Sequence, residues 1–564
     1  MYENDFSGSL PLNIGNASKM QALYLYSNRL SGTLPESIGN CSELTELYLN
    51  NNMFSGVLPK SFNNLEHLTD VGLSWNSFDG RIPFGIMGNC KNLSVLDLSS
   101  NFFHGEIPPG LSKCSHLSIF AAINNSLTGH IPASLGSLTE LSKLYISENQ
   151  LSGRIPPEIG KCRSLTSLLL NSNNLEGEIP SELGMLSKLS TLQLFENSLS
   201  GEIPLGIWKI QSLAALEVYY NSLSGELPVE ITELRHLRNI SLFGNHFSGV
   251  IPQTLGINSS LEKLDFTDNA FTGDIPPNLC YGKQLRFLMF GSNKLQGSIP
   301  SDVGNCSTLE RLRFEQNNLT GILPDFVSNS NLNFMDISDN NIDGPIPSSL
   351  GNCQNLSSID LSSNKLSGPI PAELGNLVEL QTLDLSRNQL HGSLPSQISK
   401  LAKLNSLNIG FNSLNGTIPS SLRSLKQLST LELPENQFIG EIPDFLPELE
   451  RLLELQLGGN LLRGSIPSSL GQVKSLTYVL NLSDNGLTGQ LPPELEGLSM
   501  LQRLDISRNN LTGSLETLGK LNSLLQVNVS YNLFQGPIPK SLLKLSNSSF
   551  IGNPGLCDLC KQPW

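Results

Sequence analysis

Arg311 and Arg313 flank Leu312 in the segment ERLRFEQNN. In an extended strand, side chains two residues apart point to the same face, about 7 Å apart. Two guanidinium groups so placed can clamp a carboxylate through charge-assisted, bidentate hydrogen bonds. They can equally pair with Glu310, Glu315 or Asp336 as surface salt bridges, which contribute little. Upstream, large side chains recur where small polar residues would be the default: Tyr145, Phe195, Tyr219, Tyr220, Phe243, Phe287 and Met289. Glu148, Glu196, Glu217, Asp265 and Asp268 interleave with them, and Tyr24, Tyr26, Tyr48 and Trp75 form an earlier group. Exposed aromatics call for a reason, although strand aromatics also stabilise sheets. The chemistry on offer is recognition: rings and carboxylates suit an extended basic chain, and the arginine pair suits its anionic end.

No constellation for catalysis accompanies these residues. The seven His are scattered, with neither HExxH nor a metal-ligand spacing. GxSxG and phosphate-loop motifs are absent. The expectation is no catalytic residue, no metal and no cofactor. A net charge of −15 argues against nucleic acid as a partner and favours basic ones. No run of 18 apolar residues is present, and the opening MYENDFSGSL has neither a basic nor an apolar leader region.

The elements that position these side chains follow from a repeat. An Asn in segments such as LYISENQLSG and LDLSRNQLHG recurs at 23 positions from Asn4 to Asn532, each interval within one residue of 24. The consensus is LxxLxLxxNxLSGxIPxxLGxLxx. LxL alternation predicts a short strand with one buried face. The Asn amide is expected to bond neighbouring backbone and to stack on the next Asn as a ladder. The Gly and Ile-Pro mark a turn and an extended segment. The remainder is long enough only for a 3₁₀ or single helical turn. One such unit cannot bury its Leu face alone, so stacked units share one core. The predicted fold is an α/β solenoid: a leucine-rich-repeat right-handed superhelix of about 22–23 repeats, with a concave parallel β-sheet and convex 3₁₀ or short helical turns. Residues 1–540 form the solenoid and 541–564 a C-terminal capping segment. The chain starts mid-repeat without an N-terminal cap, which reads as a fragment of a longer parent.

Six of the nine Cys (Cys41, Cys90, Cys114, Cys162, Cys306 and Cys353) occupy one repeat position that points into the core. They are expected to be small buried thiols, and Cys280 with them. Cys557 and Cys560 form a CxxC with no second pair and no βαβ context, which predicts a cap disulfide. Either they pair with each other, or Cys557 pairs beyond this chain. Fourteen N-x-S/T sequons point to an extracellular parent: Asn16, Asn40, Asn92, Asn124, Asn239, Asn258, Asn305, Asn318, Asn355, Asn415, Asn481, Asn510, Asn528 and Asn547.

The segments LSGRIPPEIGKC, LSGEIPLGIWKI and LSGPIPAELGNL resemble the plant-specific class of leucine-rich repeats, found in ectodomains of receptor kinases and receptor-like proteins. The segments NNLTGILPDF, GFNSLNGTIPSSL and FLPELERLLELQL resemble a narrower group, the plant elicitor-peptide (danger-peptide) receptors. The resemblance implies an extracellular peptide ligand, a SERK-type co-receptor, and a kinase beyond a transmembrane helix that this chain lacks. It implies that Arg311, or an RxR pair with Arg313, reads the ligand's C-terminal carboxylate. Tyr145, Phe195, Tyr219, Tyr220, Phe243, Asp265, Phe287 and Met289 would line the rest. From Asn125 to Asn317 the face spans roughly 40 Å, enough for about twelve extended residues. Co-receptor contact would use the last repeats, with Arg503, Arg508 and Tyr531 as candidates. The absence of any insertion between repeats favours a peptide over a small lipophilic ligand. Three other readings stay open: a receptor-like protein without kinase, a secreted inhibitor of microbial cell-wall hydrolases, and a truncated gene product.

Overall fold

Each LxL becomes a three-residue strand whose central Leu leaves solvent. Lys143–Tyr145, Thr191–Gln193 and Arg311–Arg313 are examples, with Leu144, Leu192 and Leu312 fully buried. The structure is a computed structural model that describes residues 2–83, 90–327 and 329–557. It divides into two compact units, Met1–Gln284 and Leu285–Trp564. In both, the first strands of successive repeats pair in parallel without slippage. Lys143, Ser167, Thr191 and Ala215 follow one another in the first unit. Arg311, Phe334, Ser358 and Thr382 do so in the second. A residue one repeat on therefore sits directly beside its counterpart on the neighbouring strand.

A second strand follows the Asn, as at Asn174–Glu178 and Gln389–Ser393, and forms a further parallel row. The IPxxLG segment closes the repeat as a 3₁₀ turn, as at Ser181–Met185 and Ala372–Asn376. Pro180 and Pro371 enter these turns in the extended conformation. Close stacking of the turns explains the glycine: a Cβ on Gly160 would lie 2.3 Å from the Glu182 carbonyl oxygen. Among the described residues the one α-helical element is Ser301–Gly304. The fold is thus a leucine-rich-repeat solenoid whose helical component is almost wholly 3₁₀. No helix among the described residues is long and apolar enough to cross a membrane.

The repeated Asn behaves differently from the expected Asn-on-Asn ladder. Asn149 Nδ2 donates to the carbonyls of Ser147 and Ala122, both at 2.9 Å, and Ile146 at 3.4 Å, while its Oδ1 accepts the Leu127 N–H at 2.9 Å. Two of those partners belong to the preceding repeat. Asn388 repeats the pattern with Leu361, Leu385, Ser386 and Leu366. Each amide ties its own strand end to the previous coil, so the backbone is the ladder. The geometry requires a left-handed residue just before the Asn: Glu148 at φ 53° and Arg387 at φ 55°. Gly244 and Gly459 hold the same place without strain. The pattern also runs one step past Asn532. Asn553 donates to Val529 and Phe550 and accepts from Phe534 N–H at 3.1 Å. Its shortened interval, inside the capping segment, hid it from the periodicity.

The cysteine expectation needs correction. Cys90 and Cys114 form a disulfide with Cα atoms 4.9 Å apart. They are 24 residues apart in sequence, so the repeat stacks them on adjacent coils at bridging distance. Cys280, Cys306 and Cys557 are also disulfide-bonded. Cys41, Cys162 and Cys353 are buried free thiols, and burial pushes the Cys162 thiol up to about 11. Cys560 lies outside the described residues.

Replacing Asn149 by Ala leaves the Leu127 N–H without its acceptor and the Ala122 carbonyl with only the longer bond from Asn125 Nδ2, at 3.3 Å. Chemical denaturation is expected to show a loss of roughly 2–3 kcal/mol. Exposed Asn174→Ala is expected to stay within about 0.5 kcal/mol of the parent.

Candidate ligand-binding site

Phe195, Tyr219 and Phe243 occupy one position in successive repeats, two residues before the Asn. Strand spacing of about 4.8 Å matches the distance at which aromatic rings stack, and the three rings form a platform. Centroids are 4.2 Å apart for Phe195–Tyr219 and 4.6 Å for Tyr219–Phe243, with planes within 11° of parallel. Tyr220 stands edge-on to both Tyr219 and Phe243 at 71°. It occupies the left-handed position, at φ 49°, and is 56% exposed. Burial, then Glu217, Glu196 and Asp265, push the Tyr219 hydroxyl up to about 12. Glu196 accepts from Ser172 at 2.7 Å and Glu217 from Gln193 at 3.3 Å. Tyr145 is half-buried on an earlier strand, in register with Ala121 and Leu169. Asp265 is a different case from that expected. It is buried and accepts the Thr267 N–H at 3.3 Å, so it caps its own strand end instead of presenting a carboxylate.

In the second unit the arginine pair divides. Arg313 is half-buried and forms an ion pair with Glu315, whose side chain is 8% exposed. Burial raises the Glu315 carboxyl, and Arg313 opposes that shift. Gly291 makes room for the pair, since a Cβ there would lie 2.3 Å from Glu315 Oε1. Arg313 is therefore paired with an internal carboxylate, whereas Arg311 stands outside that pair. Arg311 is exposed, and its guanidinium lies 4.4 Å from the centroid of the Phe334 ring. That stack fixes the planar group while leaving its edge open. Phe334 was missed by sequence reasoning, though it departs from the small-residue default one repeat after Arg311. Phe287 is half-buried under the Arg286 guanidinium, 5.2 Å from its ring centroid. Met289, in register with Arg313, is 8% exposed. Its side chain is covered and presents almost no surface to a ligand.

Acidic strand residues further along have a structural explanation. Asp336, Asp360 and Asp384 lie side by side in register. Each accepts the backbone N–H of the Ser two residues on, at 2.9–3.1 Å. Burial is the main reason the Asp360 carboxyl rises to about 6. Near the end of the unit a groove of about 860 Å³ lies between the last first strands and residues 544–549, lined by Arg503, Asp505, Asn528 and Lys544 among others. In the same last repeats, Arg508 lies over the Tyr531 ring at 5.4 Å.

Ten sequon asparagines are exposed: Asn16, Asn40, Asn92, Asn124, Asn258, Asn305, Asn318, Asn355, Asn415 and Asn510. Asn239, Asn481 and Asn528 are half-buried on first strands. Asn481 accepts the Ser483 N–H, and Asn528 bonds Ser530 and Asp505. The Asn547 side chain lies outside the described residues.

Fold and face together define a leucine-rich-repeat recognition domain. The family described as Leucine rich repeat matches residues 18–78, 330–390 and 379–438. Its single-repeat counterpart matches 92–114, 140–162, 164–186, 260–281, 478–498 and 500–521. The chain is 45% identical to the receptor in the crystal structure of PEPR1–AtPEP1, with a TM-score of 0.85 over 99% of this chain and 89% of that one. It is 36% identical to the plant peptide hormone receptor RGFR1 in complex with RGF2, with a TM-score of 0.90 over 98% and 89%. With the Arabidopsis receptor kinase HAESA, solved with the peptide hormone IDA and the co-receptor SERK1, it shares 34% identity and a TM-score of 0.90 over 97% and 93%. Among curated proteins, the leucine-rich repeat receptor-like protein kinase PEPR1 of Arabidopsis thaliana is 53% identical over 88 residues, 15% of this chain and 8% of that protein. Receptor-like protein 41 of the same plant is 43% identical over 75 residues, 13% of this chain and 8% of that protein. These matched segments span less than a tenth of either relative. The chain belongs to the family of plant leucine-rich-repeat receptor ectodomains that includes PEPR1.

The two arginines are expected to separate on mutation. Arg313→Ala strands the buried Glu315 carboxylate and is expected to lower stability by roughly 3 kcal/mol. Arg311→Ala is expected to change it by less than about 1 kcal/mol. Thermal and denaturant unfolding of both variants check this.

Proposed function

We propose that this chain is the extracellular, ligand-binding part of a plant receptor kinase that recognises a basic signal peptide and acts in damage or immune signalling. The aromatic platform of the first unit receives side chains of the extended peptide, and its carboxylates complement basic residues. In the second unit, Arg311 receives the free C-terminal carboxylate, with Arg313 serving the fold. The observation that carries this reading is Arg311 itself: an exposed guanidinium held flat on Phe334, with no acidic partner among its described contacts. The likeness to the PEPR1–AtPEP1 receptor over 89% of that chain supports a peptide ligand. The HAESA complex with IDA and SERK1 supports a SERK-type co-receptor. The Arg508–Tyr531 pair and Arg503, in the last repeats, are the proposed contacts for it. Residues 1–540 carry the ligand and 541–564 form the cap. Catalysis belongs to a kinase domain outside this chain, and the exposed sequons carry glycans on an extracellular surface.

Calorimetric titration of the secreted chain with a basic elicitor-type peptide tests the reading. The free-acid peptide is expected to bind at micromolar or better. C-terminal amidation and Arg311→Ala are each expected to weaken binding at least tenfold, about 1.4 kcal/mol. Binding that ignores both changes contradicts the carboxylate site, and a folded chain that ignores the peptide contradicts the peptide reading.

A further inference from the structure

A second recognition feature lies within the first unit, among the first strands of its earliest repeats. Tyr24 and Tyr48 occupy the same position on paired strands, with ring centroids 5.7 Å apart and planes at 42°. Tyr2 meets Tyr24 edge-on at 6.4 Å and stacks on Tyr26 at 4.7 Å. The next residue in this register is Gly72, and the Tyr48 ring leans into the space a side chain would take. A Cβ on Gly72 would lie 2.7 Å from that ring. The rings and Gly72 enclose a cavity of about 550 Å³ whose remaining wall includes Glu46, Asp97 and Asn50.

The charge of this cavity is one-sided. None of its lining residues is Lys, Arg or His. The Tyr24 hydroxyl donates to Glu46, and this bond is the main reason its pKa is pushed up to about 12. Tyr24 therefore keeps its proton, and Glu46 keeps a second oxygen for another donor. Asp97 accepts the Ser99 N–H through Oδ1 and lines the same cavity. Asn50 Oδ1 is buried with no hydrogen-bond partner. A buried acceptor of that kind needs a donor. Ring faces, carboxylates and an unmet acceptor together describe a host for a cation that also donates hydrogen bonds.

We propose that this tyrosine-lined cavity is a subsite for a basic side chain, a guanidinium or ammonium group lying against the exposed sides of the Tyr24 and Tyr48 rings and held by Glu46, Asp97 and Asn50. The proposal rests on the peptide-receptor reading for the origin of that side chain, and its site is separate from the Phe195–Tyr219–Phe243 platform. Flat ring faces suit the planar guanidinium particularly well.

Ligand-observed saturation-transfer NMR on the full 564-residue chain tests it without a peptide. The probes are N-acetyl-arginine-N-methylamide and its neutral citrulline analogue, which keeps shape and loses charge. The arginine probe is expected to give at least a fivefold stronger signal than the citrulline probe. That excess is expected to vanish in Glu46→Gln and in Tyr48→Ala, each confirmed as folded by its unfolding curve. Equal signals from the two probes, or an arginine signal unchanged in both variants, overturn the proposal. If the arginine probe binds here while the elicitor-type peptide is ignored, the subsite stands and the peptide reading falls. If the peptide binds and the arginine probe does not, the subsite falls alone.

Discussion

The side-chain amide of one asparagine per repeat is the constraint on which the rest depends. Its Nδ2 and Oδ1 bond backbone groups of two successive coils, as Asn149 does with Ala122 and Leu127. The Ala122 carbonyl directly follows the first strand and the Leu127 N–H lies near the start of the second, and the amide of Asn149 serves both. An unmet buried amide or carbonyl costs about as much as a lost hydrogen bond. Position and residue type are therefore fixed together, and the left-handed residue before each Asn is a local strain accepted in return. Because this condition recurs from repeat to repeat among the described residues, the first strands keep matching register.

That register shapes what a recognition face can be. Equivalent positions form rows at strand spacing, so a row is the natural unit of design. Three aromatic residues in one row become a stacked platform. Two cysteines in one row become a disulfide. Three aspartates in one row set like charges side by side, and the Asp360 carboxyl rises to about 6, mainly through its burial. Arginine and phenylalanine in one row give the Arg311–Phe334 stack. Pairing along one strand gives the opposite result: Arg313 and Glu315, two residues apart, neutralise each other inward.

Much of this was legible in the sequence because the period is so regular. Strand positions, the buried Leu face, the 3₁₀ turns and the platform residues follow from counting back from each Asn. What escaped depends on contacts between rows that composition does not order. Asp265 and Arg311 look alike as exposed charges in a strand pattern, yet one turns back onto its own backbone and the other stays outside. Met289 reads as a surface departure, but it lies covered beside Arg313. Cys90 and Cys114 read as buried thiols until the one-repeat spacing is recognised as a bridging distance. Asn553 was hidden by its interval of 21 residues from Asn532 (553 − 532).

The central claim is that a peptide is read by the first-strand face. Hydrogen–deuterium exchange of the chain with and without a saturating basic elicitor-type peptide addresses it most directly. The account predicts slowed exchange at residues 191–196, 215–220 and 239–243 in the first unit and 311–316 and 334–336 in the second. The second strands at 198–202 and 222–226 and the 3₁₀ turns are predicted to be unchanged. Protection confined to the turns or the second strands, with the first strands unaffected, would contradict it.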